Sequence, residues 1–576
     1  MRINLFLLVL TFLTGMEVCT AQSNFRAGMS SVSIEPGDES FSVALAGYAG
    51  PWAGRFAVQW NPEGVLSSNP RLARQVKRQG IVKEEGVQYR LSRQGLLEYN
   101  RTRSRREGWE QAPSLKGLKS FVVQHPYVYG CNGTDTLYKF HIDNPRNGWN
   151  RALYFNGVIR KVNIQHLYTH NRKLFAVNES DSLFSASLIH GQKEEHSYAR
   201  AVAIQNGDAK VLIICMDLCG FNSDMIDNVK ASISGKTGLP AEAILINASH
   251  THFVPGTQRW IPWAPHNRYP DINYMEKVVK PAMVKAGVEA SSKLFPVRLS
   301  FGRGTTTIGA NRRNPGSTEP YDNAVDVLRI VSTDEKKQAV LVLTGCHPVF
   351  GTKGIRHFTI SSNYPGFMRS AVEKNAATPT MALFMQGCAG DINPIDEPEV
   401  SGAKLAGDVM KVLNTSMTEL SGGIDFKMDS LLIPANPMSI SELEEFRAKN
   451  VALGPEMEPE RDVAWADLML SYHRDNKMPK YMPIYIQTLN IGQWKLIGMS
   501  REVVTEYSLA IKKIWPDKMV SVAGYCNDVS SYLPVARHIR AKVYEGEGSY
   551  FWYGMPSPFP LDILDRVVNH IQSKAY

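Results

Sequence analysis

A chain of 576 residues with 43% hydrophobic and 21% charged side chains has an ordinary globular composition and is long enough for more than one domain and a large core. Its formal charge of +9 is modest for that length and spread along the sequence, which speaks against a nucleic-acid-binding surface. Beyond the N-terminus no run approaches the ~18 uninterrupted apolar residues of a membrane-spanning helix.

The first residues read as an export signal over 1–21. Arg2 supplies the positive start, 5–13 the short apolar run, and Cys19-Thr20-Ala21 a small-residue cleavage site. A secreted or periplasmic protein is therefore expected. A lipid anchor on Cys19 is disfavoured by the poor lead-in Met16-Glu17-Val18. The densest basic cluster, Arg101, Arg103, Arg105 and Arg106 beside Tyr99 and Trp109, reads as a solvated loop. Cys131, Cys215, Cys219, Cys346, Cys388 and Cys526 contain no CxxC pair and fall mostly in or beside apolar runs, where a thiol behaves as a small buried hydrophobe.

From 56 to 188 there is little helical periodicity and a loose repeat: FAVQWNPEGVLSS, VQYRLSRQGLLEY, YVYGCNGTDTLYKF and LFAVNESDSLFSA, aligned on Leu66, Leu97, Leu137 and Leu183. Each unit reads as a β-hairpin with polar turn chemistry at its tip. Repeats of this length suggest a propeller-like closed β-array; an irregular β-rich insertion is the alternative. The expected organisation is an inserted all-β unit at 56–189 and a discontinuous body at 22–55 and 190–576.

That body reads as α/β. Strands are expected at 209–215, 243–247, 339–344, 381–385, 494–497 and 519–523, with helices at 224–234, 274–294 and 365–375 and a covering helix over 442–472. Five polar motifs follow directly on strands: NASHTHFVPG, GCHPVFG, QGCAGDINP, GMSRE and GYCNDVSSY. Ligand sites in α/β proteins gather beyond the carboxyl ends of strands. His250 and His252, two residues apart, can put both imidazoles on one side of an extended segment. His347 offers a third nitrogen and Glu502 an oxygen, donor types suited to zinc in a hydrolytic site.

The order of NASHTHFVPG, NRRNP, GCHP, SSNYPG, GCAGDINP and GYCN resembles the neutral ceramidase family, whose members hydrolyse the amide of ceramide with one zinc ion. The likeness extends over 27–51 and 198–544. It implies an α/β catalytic domain with a mixed sheet and covering helices. It further implies zinc held by His250, His347, Glu502 and Tyr532, with His252, Arg312 and Gly47 near the substrate's polar head. Two positions depart from the family pattern. Arg501 replaces a glycine before Glu502, and Asn393 replaces the serine to which the family's catalytic role is assigned. An amide cannot serve as a nucleophile, yet a metal can still activate water and polarise a carbonyl.

The implied function is zinc-dependent hydrolysis of an amide or ester in a small lipid or glycan substrate, with Asn393, His252 and Arg312 as catalytic candidates. Two alternatives stay open: a carbohydrate-directed hydrolase on the same fold, and a glycan- or lipid-binding protein without catalysis. Asp217, in the strand exit MDLCG, either supports the site or is a turn residue, and Asp391 either fixes a metal-bound histidine or caps the following loop. His357 and Cys346 read as packing.

Overall fold

Runs such as VLIIC, ILIN and VLVLT, apolar at nearly every position, suit strands buried on both faces. They take the two ends of a nine-stranded mixed sheet. Its strands lie in the order Ile244–Ala248, Ala209–Met216, Tyr198–Asn206, Arg26–Ser33, Phe295–Thr305, Ala324–Ser332, Gln338–Thr344 and Thr380–Gln386, with Thr418–Glu419 added beside Phe295–Thr305. Only the end pairs are parallel. Parallel neighbours need a crossover, supplied here by the helices Ser223–Thr237 and Tyr364–Asn375. In this computed structural model the described residues are 24–37, 39–47, 55–77, 80–102, 108–154, 163–190, 195–260, 262, 268–313, 319–349 and 354–574. The expected signal at 1–21 with Cys19, and Arg103, Arg105 and Arg106, lie outside them.

The two edges of this sheet meet at their carboxyl ends. Gln386 N donates to Asn247 Oδ1 at 2.9 Å, and the Asn247 amide donates to the carbonyls of Gln386 (3.2 Å) and Gly524 (2.8 Å). The Gln386 amide in turn donates to the carbonyls of Ser249 and Cys346, both at 2.8 Å. Both side chains are fully buried, where an unsatisfied amide is costly. These bonds fix the loops that leave the strand ends.

A second sheet, Ile424–Pro434, Tyr481–Ile491, Trp494–Met499 and Met519–Ala523, packs Leu489, Ile491, Trp494 and Leu496 into the same core. Its last two strands are parallel, with the helix Thr505–Lys512 between them. The single helix expected over 442–472 is two, Ile440–Ala452 and Met457–Arg474. Gly454 at φ +91° and Pro455 break it, because one leaves the helical region and the other lacks the N–H donor.

Among the described residues, the segment between 58 and 188 forms three four-stranded antiparallel sheets that share no strand with the rest. The first is Val82–Glu84, Val87–Leu91, Leu97–Asn100 and Trp109–Gln111. The second is Ser120–Gln124, Tyr127–Cys131, Thr136–His141 and Asn150–Tyr154. The third is Ile164–His170, Lys173–Asn178 and Ser182–Leu188, completed by the earlier strand Val58–Val65. The middle sheet packs on both neighbours, through Tyr129 and Leu137 on one face and Phe121 and Phe140 on the other. Three of the repeat units are the equivalent second hairpin of each sheet, with Leu97, Leu137 and Leu183 at the start of its third strand. The fourth is not a hairpin. Opposite Leu183 and Phe184 the register slips past Glu63, so Pro62-Glu63-Gly64 is a bulge in one continuous strand that ends in the 3-10 turn Leu66–Ser68. One short helix, Pro70–Lys77, interrupts the β-rich run. Among the described residues no helix is long and apolar enough to cross a membrane.

Candidate metal centre

Five loops converge beyond the carboxyl ends of the strands. His250 follows Ile244–Ala248, His347 follows Gln338–Thr344, Asn393 lies in the short strand Ile392–Pro394 after Thr380–Gln386, and Glu502 follows Trp494–Met499. Tyr532 follows Met519–Ala523 and pairs with Glu502 in a two-residue parallel ladder. The loops are cross-tied through backbone: His250 N donates to Leu218 O, His347 N to Ile392 O, Glu502 N to Ser531 O, and Gly390 N to Val503 O, all at 2.8–2.9 Å.

His250 Nε2 lies 3.0 Å and His347 Nε2 3.3 Å from Glu502 Oε2. The Tyr532 hydroxyl is 3.4 Å from His347 Nε2, and His252 Nε2 is 3.1 Å from His250 Nε2. His250, His347 and Glu502 are each 1% exposed. Both ligand-candidate histidines have fixed tautomers, since Nδ1–H of His250 donates to Cys219 O (2.6 Å) and that of His347 to Ala389 O (2.5 Å). Each Nε2 is thereby turned toward the centre, the arrangement that orients metal-binding imidazoles. Two imidazole nitrogens, a carboxylate oxygen and a phenol oxygen within one small buried volume form a donor set that fits zinc.

The charge pattern agrees with that chemistry. Burial lowers His347 to about 4 and holds His252 well below the usual imidazole range, so both are neutral donors near pH 7. Burial acts the same way on His250, but Glu502 and Cys219 outweigh it and lift the group to about 10. Glu502 goes the other way: burial would raise it, and the facing His250 and His347 hold it well below the usual carboxylate range. Without a metal the pair is therefore an imidazolium and a carboxylate. A divalent cation held by His250, His347 and Glu502 would take the place of the His250 proton.

The remaining candidates lie around this cluster. Arg312 Nη2 donates to the Tyr532 hydroxyl (3.1 Å) and Nε to Glu545 Oε1 (2.7 Å). Gly47 sits at φ +66°, and a Cβ there would lie 2.2 Å from His252 Nδ1, so both backbone conformation and clearance require glycine. Alanine at Gly47 should push the His252 ring aside. On a hydrolase reading of the site, turnover in Gly47→Ala is expected to fall by about tenfold or more, ~1.4 kcal/mol, with no loss of any metal held by His250, His347 and Glu502; metal analysis beside a rate assay checks both. Asn393 is half-buried, its Oδ1 has no hydrogen-bond partner among the described residues, and no hydrogen bond joins it to His250, His347 or Glu502. Its neighbour Ile392 accepts from His347 N.

Arg501 adopts φ +79°, a conformation that favours glycine. Its buried guanidinium donates to Pro483 O (2.7 Å) and Ser531 Oγ (2.5 Å), which ties down the loops carrying Glu502 and Tyr532. Among the described residues no hydrogen bond joins the Asp391 carboxylate to His250 or His347; it accepts from Thr505 N at the start of Thr505–Lys512, and from Asn311 and Arg537. Asp217 forms a bidentate pair with Arg369. His357 contributes its carbonyl to Arg55 Nε. Cys346 is a buried free thiol, as are the other five described cysteines.

Sequence reasoning missed Tyr553, whose hydroxyl donates to Glu502 Oε1 and leaves Oε2 facing the histidines. It also missed Glu545, which pairs with both Arg312 and Arg313. Both come from the C-terminal segment, which folds back over the site; no local motif announces them.

No protein-family model matches the chain, and no curated protein matches it in sequence. It is similar in structure to neutral ceramidase from Pseudomonas aeruginosa, with 18% identity over 66% of this chain and 68% of that one and a TM-score of 0.51. A ceramidase complexed with C2 is a second similar structure, at 16% identity over 66% and 69% of the two chains, with a TM-score of 0.48. The Pseudomonas likeness is one of fold: a mixed α/β body of the ceramidase kind.

Proposed function

We propose that this chain is a zinc-dependent hydrolase that cleaves an amide, of the N-acyl sphingosine type, or a related ester. The observation that carries the reading is the convergence of His250 Nε2, His347 Nε2, Glu502 Oε2 and the Tyr532 hydroxyl in one buried cluster. Zinc held by these four groups would supply Lewis acidity toward a substrate carbonyl and toward water. Tyr553 orients Glu502, and the backbone carbonyls of Cys219 and Ala389 orient the imidazoles. Arg312 keeps a permanent positive charge beside the cluster, where negative charge would develop on an attacked carbonyl. His252, neutral and adjacent to His250, is placed to hold or pass a proton.

The fold shared with the Pseudomonas ceramidase supports the substrate class, and the order of sequence motifs supports the ligand set. Export through a cleaved signal at 1–21 belongs to the same reading. So does the division into a body at 22–55 and 190–576 and a β-rich insertion at 56–189. The insertion is read as a propeller-like array, because three repeat units map onto equivalent hairpins and an N-terminal strand completes the last sheet.

Asn393 is assigned as a polar positioning group for the scissile carbonyl. Asn393→Ala should lower turnover by ~10²-fold, the scale of losing one oxyanion donor, and Asn393→Ser should raise activity on ceramide-like amides. The decisive assay measures hydrolysis of N-acyl sphingosines of several chain lengths beside acylated sugars, using zinc-loaded protein. Turnover of the best substrate unchanged in Asn393→Ala removes that residue's role. No hydrolysis of any panel member by zinc-bound protein removes the hydrolase reading altogether.

A further inference from the structure

A cavity of about 330 Å³ is walled on one side by the β-rich unit and on the other by the α/β body. Tyr127, Lys139, His141 and Asn150 face Asn228, Gln258 and Tyr269 across it. Binding clefts commonly form where two packed units meet. Its floor includes Val43, Ala44, Pro255 and Gly256, joined by the hydrogen bond from Gly256 N to Ala44 O (2.9 Å) and the bridge between Leu45 and Pro255. The same two segments carry Gly47 and His252 a few residues on. Ala44 to Gly47 can span at most ~10 Å of extended backbone, so one extended ligand could reach both places.

The lining decides what kind of ligand fits. Its charges are mostly compensated from within: Lys139 pairs with Asp271, Arg259 with Asp224 (2.9 Å), and Lys280 with Glu276. A charged group binding at Lys139, Arg259 or Lys280 or at their carboxylates would have to break one of these pairs; Arg151, the fourth cation of the lining, is exposed. The lining is otherwise rich in side-chain amides, from Asn144, Asn150, Asn222, Asn228 and Gln258, three of which are engaged at one end: Asn150 Nδ2 donates to Gly148 O, Asn222 Oδ1 accepts from Arg259 N and Asn228 Nδ2 donates to Asp224 O. Beside them lies the 47%-exposed ring of Tyr269. Gln258 adds an independent sign. It is 1% exposed, its Nε2 donates to Val529 O (2.5 Å), and its Oε1 has no hydrogen-bond partner among the described residues. A buried acceptor left unmatched costs stability, and a ligand hydroxyl would satisfy it once the side chain turns toward the cavity. Amides that donate and accept, an aromatic face and charges mostly paired among themselves are complementary to a polyhydroxylated ring, with hydroxyls at its rim and C–H groups on its faces.

We propose that this cavity is a binding site for a neutral saccharide, either free or carried as the head of a lipid substrate. The inference goes beyond the hydrolase reading and does not depend on it, because binding at this cavity needs neither metal nor turnover.

The test titrates full-length protein calorimetrically with lactose, cellotriose, maltotriose and chitotriose, and with glucosylceramide in mixed micelles against ceramide micelles of the same detergent. Sialyllactose and glucose 6-phosphate serve as charged counterparts. The expected result is saturable binding of at least one neutral sugar, or tighter binding of glucosylceramide than of ceramide. The first outcome identifies free saccharide as ligand and the second a lipid headgroup. Tyr269→Ala and Asn228→Ala, both at exposed positions, should weaken that binding by tenfold or more and leave zinc content and hydrolysis of a sugar-free N-acyl substrate unchanged. The proposal is overturned if no neutral sugar or glycolipid binds, if only the charged sugars bind, or if both variants bind as the parent does. Loss of zinc or of hydrolysis in other variants would leave these titrations unaffected, so the two readings fail separately.

Discussion

Replacing both His250 and His347 with alanine should take bound zinc from one ion per chain to none after dialysis against metal-free buffer. The two imidazoles are half of the four-donor set, and their Nε2 atoms are those that meet Glu502 Oε2. His252 could take over from at most the first of them. His252 lies on the His250 side of the cluster, while Asp391 is engaged with Thr505, Asn311 and Arg537. The variant also strands Glu502, which is 1% exposed, with Tyr553 as its remaining hydrogen-bond donor. Burying an uncompensated charge costs several kcal/mol, so the melting temperature should fall as well. Adding Glu502→Gln removes that charge. The triple variant should recover part of the lost stability and still hold no zinc. Elemental analysis beside thermal melts reads both quantities, and full zinc stoichiometry in the folded double variant would refute the assignment.

What could be read from the sequence was whatever is local in the chain. Apolar runs of five to seven residues located the strands Ala209–Met216, Ile244–Ala248, Gln338–Thr344 and Thr380–Gln386, because strands buried on both faces leave no polar alternation to confuse the pattern. Placing polar motifs after strands pointed to one crevice at their carboxyl ends, whereas Tyr532 entered the expected ligand set only through the resemblance to the ceramidase family; no strand-end pattern singles it out. The hairpin repeat was legible for the same reason in three of its four units. It failed at 56–68, where Pro62-Glu63-Gly64 has the composition of a turn but is held as a bulge by pairing with a strand over a hundred residues later. Tertiary pairing there overrides turn chemistry. Tyr553 and Glu545 were illegible because their role depends on where the C-terminal segment comes to rest. Arg501 was visible as a departure from the family glycine, and its φ of +79° shows why glycine would suit that position.

Asp217 follows a core strand in the sequence MDLCG, where its composition alone left open whether it supports the site or fills a turn. The fold makes it a structural anchor, and Asp217→Ala should destabilise the protein by about 3–5 kcal/mol, the cost of orphaning one member of a buried ion pair. Asp217 is 3% exposed and Arg369 4%. The guanidinium donates to both carboxylate oxygens, at 2.6 and 2.8 Å, and Asp217 Oδ2 also accepts from Tyr198 N at 2.8 Å. The pair ties the exit of Ala209–Met216 to the helix Tyr364–Asn375, across the body. Bidentate, charge-assisted geometry makes such a contact strong, and its burial makes a half-pair costly. The double variant Asp217→Ala, Arg369→Met should be more stable than Asp217→Ala alone, because no charge is then stranded; the non-additivity of that cycle measures the coupling. Zinc content should remain at one per chain throughout, since neither residue contacts His250, His347 or Glu502 among the described residues. Denaturation midpoints followed beside metal analysis separate the two roles. A shift below ~1 kcal/mol, or zinc lost from a variant as stable as the parent, would return Asp217 to the metal site.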